Sequence, residues 1–502
     1  MSIIDIIIIL VYLGGTIAIG LASRGRQETA EDYFTAEGEF SGVFRIILVG
    51  LSITATFFSG LSFLAYPSIG FSHGTLILII LLVFPIIWGL LHYWFLPRYY
   101  SANCKHPYDI IEKKLGSEVR NLAALMFIFL RIGWMSAMLY APAIAFMAMG
   151  NLNDNWFWPI VMTMGLSCTL YTTFGGIRGV IVTDAIQMLV IMAGVVLTIG
   201  YIIFNLPVGM DGAIKQLSAS GHLKLINFTW NPTVTFSTGA ILIGAFVSGM
   251  GTYIADQMSL QRYLAVDSLK SASRSFGLNI LGVIALIILL VGMGLLMSLW
   301  YQFKPDGDLP NSPDKVMPYF VATRLPVGIS GLLLAAILAA TMSSMTAGIN
   351  TLAGTFTLDF RVRFGSRMTS KQQLRYGRIA SLVIGLAATF IAGLIGRLGT
   401  IFDISQTLLG LFLGPLLTCV VLSISTFKMN PRVIIVSCIL GFVAGIFATY
   451  SSISSLLISP ITFIVSFAFS VIGSKIVKSG TYGSANVPQN VNARAYPANK
   501  VL

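Results

Sequence analysis

Residues 337–354, ILAATMSSMTAGINTLAG, form an apolar stretch that carries an unusual run of hydroxyl side chains. The run consists of Thr341, Ser343, Ser344 and Thr346. Ser343 and Ser344 follow Ala340 by three and four residues, and side chains at these spacings share one face of a helix. Because an unmet polar group in hydrocarbon costs several kcal/mol, each hydroxyl needs a partner. Two partners are open: the backbone carbonyl one turn earlier, or a small hard cation, which prefers oxygen ligands.

The composition of the whole chain is that of a polytopic membrane protein. Of its 502 residues, 56% are hydrophobic and 10% are charged, against about 25% charged residues in soluble proteins. The four cysteines and four histidines are scattered, so the sequence shows neither a disulfide framework nor a cluster of metal ligands. We therefore predict an all-α membrane protein without a resident cofactor.

About thirteen apolar runs reach the length of roughly 20 residues that a membrane span needs. The first is followed by Arg24 and Arg26 rather than by a cleavage site of small residues, so we interpret it as a span. After about residue 474 the chain turns polar, which predicts a disordered tail. The predicted spans are 4–22, 45–68, 75–97, 121–149, 156–174, 181–204, 236–256, 275–302, 327–357, 377–397, 404–426, 432–450 and 455–473.

The basic residues of the loops predict the orientation. With the N-terminus outside, most Lys and Arg residues, including Arg262 and the run at 361–378, fall in inward loops. This asymmetry is the positive-inside pattern of multi-pass proteins in a bacterial inner membrane or plasma membrane. It places the C-terminus in the cytoplasm and accounts for the net charge of +12 without nucleic acid.

Two predicted spans are interrupted. The second carries Ser59-Gly60 and Pro67, and the seventh carries Gly244, Gly249 and Gly251. If spans two to six and seven to eleven are two halves, each interrupted span opens its half, and such paired interruptions point to a transporter binding site. Free carbonyls at a half-helix end can bind a cation, so Ala55 and Phe58 would face Ala340, Ser343 and Ser344. The alternative is that the glycines only allow close packing of helices.

Several motifs in order resemble the sodium:solute symporter family over nearly the whole chain. Within that family, LYAPAIAF (139–146) and PDKVMPYFVATRLP (313–326) are most similar to the branch of the sodium/iodide symporter and the sodium-coupled monocarboxylate and multivitamin transporters. The family motifs are DYFTAEG (32–38), ATFFSGLSFLAYPS (55–68), LYTTFGGIRGVIVTDAIQ (170–187), DQMSLQRYLA (256–265), MSSMTAGIN (342–350) and GLFLGPLL (410–417).

The resemblance implies inverted five-helix repeats of the LeuT-like kind, with one extra helix before them and two after. The expected division is a first helix and cytoplasmic loop (1–44), a first repeat (45–204), an outer loop (205–235), a second repeat (236–426), two C-terminal helices (427–473) and a cytoplasmic tail (474–502).

The resemblance also implies where sodium binds. The main family site matches the carbonyls of Ala55, Phe58 and Ala340 and the hydroxyls of Ser343 and Ser344. A second sodium site, present in some members, matches Asp184, Ser343, Thr346 and Ala347, although Ala347 lacks the hydroxyl of those members. A carboxylate inside the membrane is a functional candidate, and the alternative for Asp184 is a pairing with Arg178.

The solute is expected near the midplane between the broken spans. Arg131 lies inside span four and could bind an anion, because its planar fork suits a carboxylate. Pairing with a helix end or with Asp256, or snorkelling to the surface, is the open alternative. The candidate solute-binding residues are Thr56, Phe57, Ser59, Ser62, Phe63, Arg131, Tyr140, Asp256, Gln257 and Gln406.

These observations predict a secondary active transporter rather than an enzyme. Sodium would drive import of a small organic or inorganic anion resembling a monocarboxylate, by alternating access. A sodium-coupled sugar or sialic acid symporter is the alternative, and a channel, a proton-coupled carrier and a sensor are rival classes. The expected partners are the solute, sodium and the lipid bilayer.

Overall fold

The computed structural model is built from helices. It describes residues 2–23, 33–34, 42–102, 104, 108–150, 152–229, 231–264, 266, 268–357, 369–394, 400–427 and 429–477. The predicted tail beyond 477, most of the DYFTAEG motif and the basic run at 361–368 therefore lie outside the described residues. No strand occurs in the described part of the chain.

The α-helices are numbered in chain order. Short 3₁₀ or π segments extend several of them, at Gly74–Leu82, Leu91–Phe95, Asp154–Trp156, Gly251–Ala255, Ala392–Leu394 and Ser455–Leu457. The α-helices are α1 (Ile3–Ala22), α2 (Gly42–Phe57), α3 (Gly60–His73), α4 (Val83–Leu90), α5 (Leu96–Ser101), α6 (Asp109–Leu115), α7 (Ser117–Gly150), α8 (Phe157–Asn205), α9 (Met210–Ala219), α10 (Thr238–Met250), α11 (Gln257–Leu264), α12 (Leu269–Phe303), α13 (Pro313–Thr323), α14 (Ile329–Gly354), α15 (Ser370–Ile391), α16 (Ile401–Ile424), α17 (Pro431–Tyr450) and α18 (Ile458–Ile476).

Eleven stretches of the described chain are long and apolar enough to cross a membrane. Two of them, Gly60–Ser101 and Asp154–Asn205, are each long enough for two crossings. They contain predicted spans three, five and six and the second half of span two, while the shorter helix Ile46–Phe57 supplies its first half. The thirteen predicted spans are thus all present. The all-helical, LeuT-like fold class is confirmed.

Helix α14, which contains the hydroxyl run, lies at the centre of the molecule. Every residue from Leu333 to Gly354 is buried. Its closest neighbour is α8, where a Cβ at Gly194 would lie 3.0 Å from the Cβ of Ala336. Because small residues let two backbones approach this closely, α8 and α14 form one packed unit.

Span two is broken where the sequence predicts it. Helix α2 ends at Phe57 and α3 begins at Gly60, with the Ser59 hydroxyl accepting a hydrogen bond from the backbone N–H of Ser62 at 3.3 Å. A serine in this position caps a new helix, because its oxygen satisfies a donor that has no partner in the first turn. A Cβ at Gly60 would lie 2.2 Å from Oγ1 of Thr341. Glycine there lets the break approach α14.

Span seven breaks later than its glycines suggest. The helix passes through a π segment at Gly251–Ala255 and is interrupted at Asp256, whose backbone is extended. Gly244 instead packs against the carbonyl of Leu456, and Gly251 packs against Leu413. These glycines therefore allow close packing of neighbouring helices. The break falls at the aspartate, which also caps the next helix by accepting the N–H of Met258 at 2.9 Å.

The extension of span seven changes the placement of Arg262. The prediction put this residue in an inward loop, and that prediction is wrong. Helix α11 continues from Gln257 to Leu264, and Arg262 on it is 1% exposed. A loop arginine could stay hydrated, whereas a buried one needs partners, and α11 turns Arg262 towards them.

Candidate ion and solute site

The hydroxyls of α14 reach across to the broken end of span two. Ser343 Oγ donates to the carbonyl of Ala55 at 2.7 Å, and Ser344 Oγ donates to the carbonyl of Thr56 at 2.7 Å. Ser343 Oγ also lies 3.2 Å from the carbonyl of Ala340. The structure thus brings together Ala55, Ala340, Ser343 and Ser344 from the predicted main sodium site, and Phe58 lies directly at the break. The oxygens are hard, uncharged ligands of the kind that a small cation prefers.

The hydroxyl run takes two kinds of carbonyl partner, those of its own helix, as the sequence allowed, and those at the end of α2. Thr341 donates to Ile337 at 2.9 Å and Thr346 to Ser343 at 3.1 Å, so both bond within their own helix. Ser343 and Ser344 instead donate to another helix. A cation bound between the serines and the carbonyls would replace the hydroxyl hydrogens as the partner of those carbonyls.

Asp184 on α8 forms a second polar centre beside the first. Its Oδ2 accepts a hydrogen bond from Ser52 at 2.7 Å and lies 3.3 Å from the hydroxyl of Thr56. Arg262 places Nη2 3.6 Å from the same oxygen and 2.6 Å from Thr56 Oγ1. Asp184 and Arg262 are 0% and 1% exposed, so the ion pair is desolvated, and its other hydrogen bonds are what make it tolerable.

Several buried oxygens near Asp184 have no hydrogen-bond partner in the described structure. They include Asp184 Oδ1, the hydroxyls of Tyr12 and Tyr171, and the amide of Gln187. The Tyr171 hydroxyl faces Thr346, which links this group to α14. A buried polar atom without a partner points to an ion or water. The oxygens suit a second cation at Asp184 and Thr346, and Tyr171 brings a hydroxyl that Ala347 lacks.

Arg131 forms an ion pair with Asp256. The two side chains are 3% and 0% exposed, and the guanidinium also lies over the ring of Phe127, 5.7 Å from its centroid. Asp256 is the residue that interrupts span seven, so the pair connects α7 to that break. The pairing that the sequence left open is thus present, and an anionic solute would have to share Arg131 with Asp256.

The other solute candidates divide into two groups. Phe57, Ser59, Ser62 and Phe63 gather at the break of span two, and the ring of Phe57 packs edge-on against Tyr253 at 5.6 Å. Thr56 and Gln257 have buried polar partners. Thr56 accepts a hydrogen bond from Arg262, and Gln257 accepts one from Thr355 at 2.5 Å. Tyr140 packs against Phe157, and Gln406 lies half-buried on α16.

A cavity of about 400 Å³ opens on the side of the loop that contains α9. It is lined by α3 from Ala65 to His73, by Leu76 in the 3₁₀ segment that follows, and by the starts of α13 and α16. Ser68, on its wall, lies six residues beyond Ser62, which is about 9 Å along the helix. Asp314 closes one edge, because it accepts from Ser68 Oγ at 2.9 Å and from the N–H of Ile401 at 3.1 Å.

The opposite side of the site is closed by polar contacts around α11. Gln261 donates to the carbonyl of Phe34 at 2.5 Å and accepts from Thr351 at 2.8 Å. Tyr108 donates to the carbonyl of Ala255 at 3.0 Å. Sequence reasoning missed Ser52, Gln261 and Arg262 as members of this network. The available signal was the DQMSLQRYLA motif, in which Gln257 and Gln261 are four residues apart and so share one helix face, with Arg262 directly after them.

The two interrupted spans, the serine hydroxyls that face backbone carbonyls at one break, and the cavity beside α3 together indicate a secondary active transporter with inverted repeats. The sodium:solute symporter family model matches residues 33–441. The chain belongs to the sodium:solute symporter family.

Individual relatives agree with this assignment. The sodium/sialic acid symporter NanT of Aliivibrio fischeri is 29% identical over 446 residues, which are 87% of this chain and 85% of the relative. The human sodium-coupled monocarboxylate transporter 2 is 27% identical over 377 residues, 74% of this chain and 60% of the relative. A solved structure of a Na⁺-coupled sialic acid symporter, in a substrate-bound outward-open state, superposes with a TM-score of 0.85 at 24% identity. The match covers 95% of this chain and 98% of that one.

Proposed function

We propose that this protein is a sodium-coupled symporter that imports an acidic sugar of the sialic acid class. The observation that supports sodium as the coupling ion is the pair of hydrogen bonds from Ser343 and Ser344 on α14 to the carbonyls at the broken end of α2. Sodium bound there would fix α2 to the α8–α14 unit. A ligand that binds one conformation preferentially shifts the population towards it, so sodium would prepare the site for the solute.

The proposed solute combines a carboxylate with hydroxyl groups. Arg131 offers the carboxylate a bidentate partner if Asp256 gives up part of its contact. The hydroxyls of Ser59 and Ser62 at the break, and that of Ser68 on the cavity wall, suit a polyhydroxylated body. A named sialic acid symporter is similar over more of the chain than the monocarboxylate transporter. For these reasons we place an acidic sugar ahead of the small monocarboxylate that the sequence alone favoured.

The arrangement corresponds to an outward-facing state when the N-terminus is placed outside. In that orientation the cavity beside α3 and α13 opens outwards, and the network around α11 closes the cytoplasmic side. Import then requires α11 and the inner half of span two to separate from α8 and α14. Separation breaks the contacts of Arg262 with Asp184 and Thr56.

The test is the melting temperature of the purified protein with sialic acid, with lactate and with glucose, in sodium and again in potassium. A ligand that binds only the native state raises the melting temperature by mass action. We expect stabilisation by sialic acid in sodium only. Ser343→Ala with Ser344→Ala should abolish it, while Ser136→Ala should not, because that buried hydroxyl bonds within its own helix at 2.8 Å.

Three results would contradict parts of the proposal separately. Equal stabilisation in sodium and potassium would exclude the sodium site. Stabilisation by lactate but not by sialic acid would restore the monocarboxylate as solute. Loss of the sodium effect in Ser136→Ala as well would show that the serine variants act through general destabilisation.

A further inference from the structure

The first helix lies before the repeats, and its outer end is bonded to the centre of the molecule. Asp5 on α1 is 2% exposed. Its Oδ1 accepts from the N–H groups of Gly328 and Gly331, both at 2.9 Å, and from the hydroxyl of Ser330 at 2.8 Å. These donors form the first turn of α14, where a carboxylate is favoured by the unpaired N–H groups and the helix dipole. The first helix therefore holds the outer end of the helix that carries Ser343 and Thr346.

The inner end of α1 packs against the bend of α8. The carbonyl of Gly20 lies 2.9 Å and 2.8 Å from the positions that a Cβ would take at Gly175 and Gly179. Between these residues, Gly176 has φ 61°, a left-handed conformation that suits glycine. A Cβ at Gly20 would in turn lie 3.0 Å from the ring of Tyr171 and 3.4 Å from Thr183, the neighbour of Asp184. An added methyl group at Gly20 would therefore require Tyr171 to shift by a few tenths of an ångström.

The middle of α1 presents a hydroxyl to the same region. Tyr12 places its buried hydroxyl near Thr16 and Gln187, within electrostatic range of Asp184. This hydroxyl has no hydrogen-bond partner within the described residues, and neither has Asp184 Oδ1. The first helix thus touches both helices that would carry a second cation: α14 at its outer end, and α8 at Tyr171, Thr183 and Gln187.

We propose that α1 is a positioning element of the second sodium site: it sets the distance between Asp184 on α8 and Thr346 on α14. This inference rests on the proposed sodium coupling. Asp5 fixes the start of α14, and Gly20 lets Tyr171 and Thr183 stay where Asp184 and Thr346 face a common ion. The helix that lies before the two repeats would then govern sodium affinity.

The test compares two glycines on the same helix. Gly20→Ala places a methyl group against Tyr171, whereas Gly14→Ala places one where nothing lies within 4 Å. We expect Gly20→Ala to raise the sodium concentration for half-maximal sialic acid uptake about fivefold or more, because the added methyl group would strain the packing around Tyr171 and weaken sodium binding. The maximal rate should stay within about twofold, because the reorganising helices are untouched. Gly14→Ala should match wild type in both quantities.

A second variant keeps the test decisive if Gly20→Ala fails to fold. Tyr12→Phe removes a hydroxyl that has no partner, so folding should not suffer, yet we expect half-maximal sodium to rise by about threefold from loss of an oxygen near the ion. Suppose that wild-type uptake depends on sodium, but that Tyr12→Phe and any folded Gly20→Ala have the same half-maximal sodium concentration as Gly14→Ala. That result would overturn the role of α1 and leave the proposed function intact. Wild-type uptake without sodium dependence would overturn both.

Discussion

At the scale of single residues, Arg131 pairs with Asp256 and is also the proposed partner of the solute. Its ion pair with Asp256 satisfies a charge that could not otherwise stay buried. A solute carboxylate would need the same guanidinium. The pair can serve both roles if Asp256 holds Arg131 until the solute arrives, and stability and transport would then respond differently to mutation.

A double-mutant cycle separates the two roles. Asp256→Asn leaves Arg131 buried without its counter-charge, so we expect a loss of about 3–5 kcal/mol of stability. The pair Arg131→Gln with Asp256→Asn removes both charges and should recover most of that stability. It should nevertheless bind no anionic solute. Chemical denaturation in detergent measures the first effect, and binding of sialic acid measures the second. Solute binding by the double variant at wild-type affinity would assign Arg131 to structure alone.

The contact of Ser343 with the broken end of span two, where we propose that sodium binds, could be predicted from sequence because its signals are local. Hydroxyls at helical spacing and Ser59-Gly60 within a hydrophobic run are visible in a few residues. The burial of Arg262 could not be predicted from sequence. Whether the chain continues as a buried helix after an interrupted span depends on the residues that its side chains contact in the fold. Here Asp184 and Thr56, separated from Arg262 by 78 and 206 positions in sequence, receive the guanidinium. Positive-inside counting treats every arginine near a span end as solvated, and this one is not.

At the scale of elements, α13 is held beside the cavity by two aspartates. Asp314 connects it to α3 and to the start of α16. Asp306, in the preceding loop, accepts the hydroxyl of Tyr319 at 3.0 Å and forms an ion pair with Arg324. The hydrogen bond from Arg324 lowers the pKa of Asp306 below its ordinary value of 3.8. The loop contacts are therefore made with the ionised carboxylate.

This gives α13 a defined response to acid. Because the pKa of Asp306 is lower in the folded protein, its contribution to loop stability is complete above pH 3.8. It is lost as the pH falls through the lower folded value. We expect hydrogen-exchange protection of 306–324, corrected for intrinsic exchange rates, to decrease over that acidic range. Asp306→Asn should show less protection than wild type at neutral pH and a smaller decrease over the acidic range. A wild-type decrease centred near neutral pH would exclude Asp306 as its cause.

At the scale of the whole molecule, the number of sodium ions fixes the charge that crosses the membrane. One sodium ion with one monovalent anion is electroneutral, whereas two ions carry a net positive charge inwards. A potential of about 100 mV then adds about 2.3 kcal/mol per net charge to accumulation. The unpartnered Oδ1 of Asp184 is a candidate ligand of the second sodium ion. Whether it binds one therefore sets the ratio of inside to outside solute that the transporter could reach.

We therefore expect sialic acid uptake into proteoliposomes to be accelerated by an inside-negative potential. Asp184→Asn should remove this dependence on potential if it leaves the main site working, since only one ion would then accompany each anion. Ser136→Ala serves as the control for substitution in the buried core. Uptake by wild-type protein that ignores the potential would reduce the count to one sodium ion per cycle.

In the predicted orientation the cavity beside α3 opens to the outside of the cell, where a reagent that cannot cross the membrane would reach it. Ser72 is exposed on its wall, while Cys168, Cys419 and Cys438 are buried and Cys104 lies on the side predicted to face the cytoplasm. A cysteine at position 72 would thus be the reactive thiol that a membrane-impermeant fluorophore meets first. Its signal would report each closure of the cavity, so turnover could be followed optically, without a radiolabelled solute and before the solute is known.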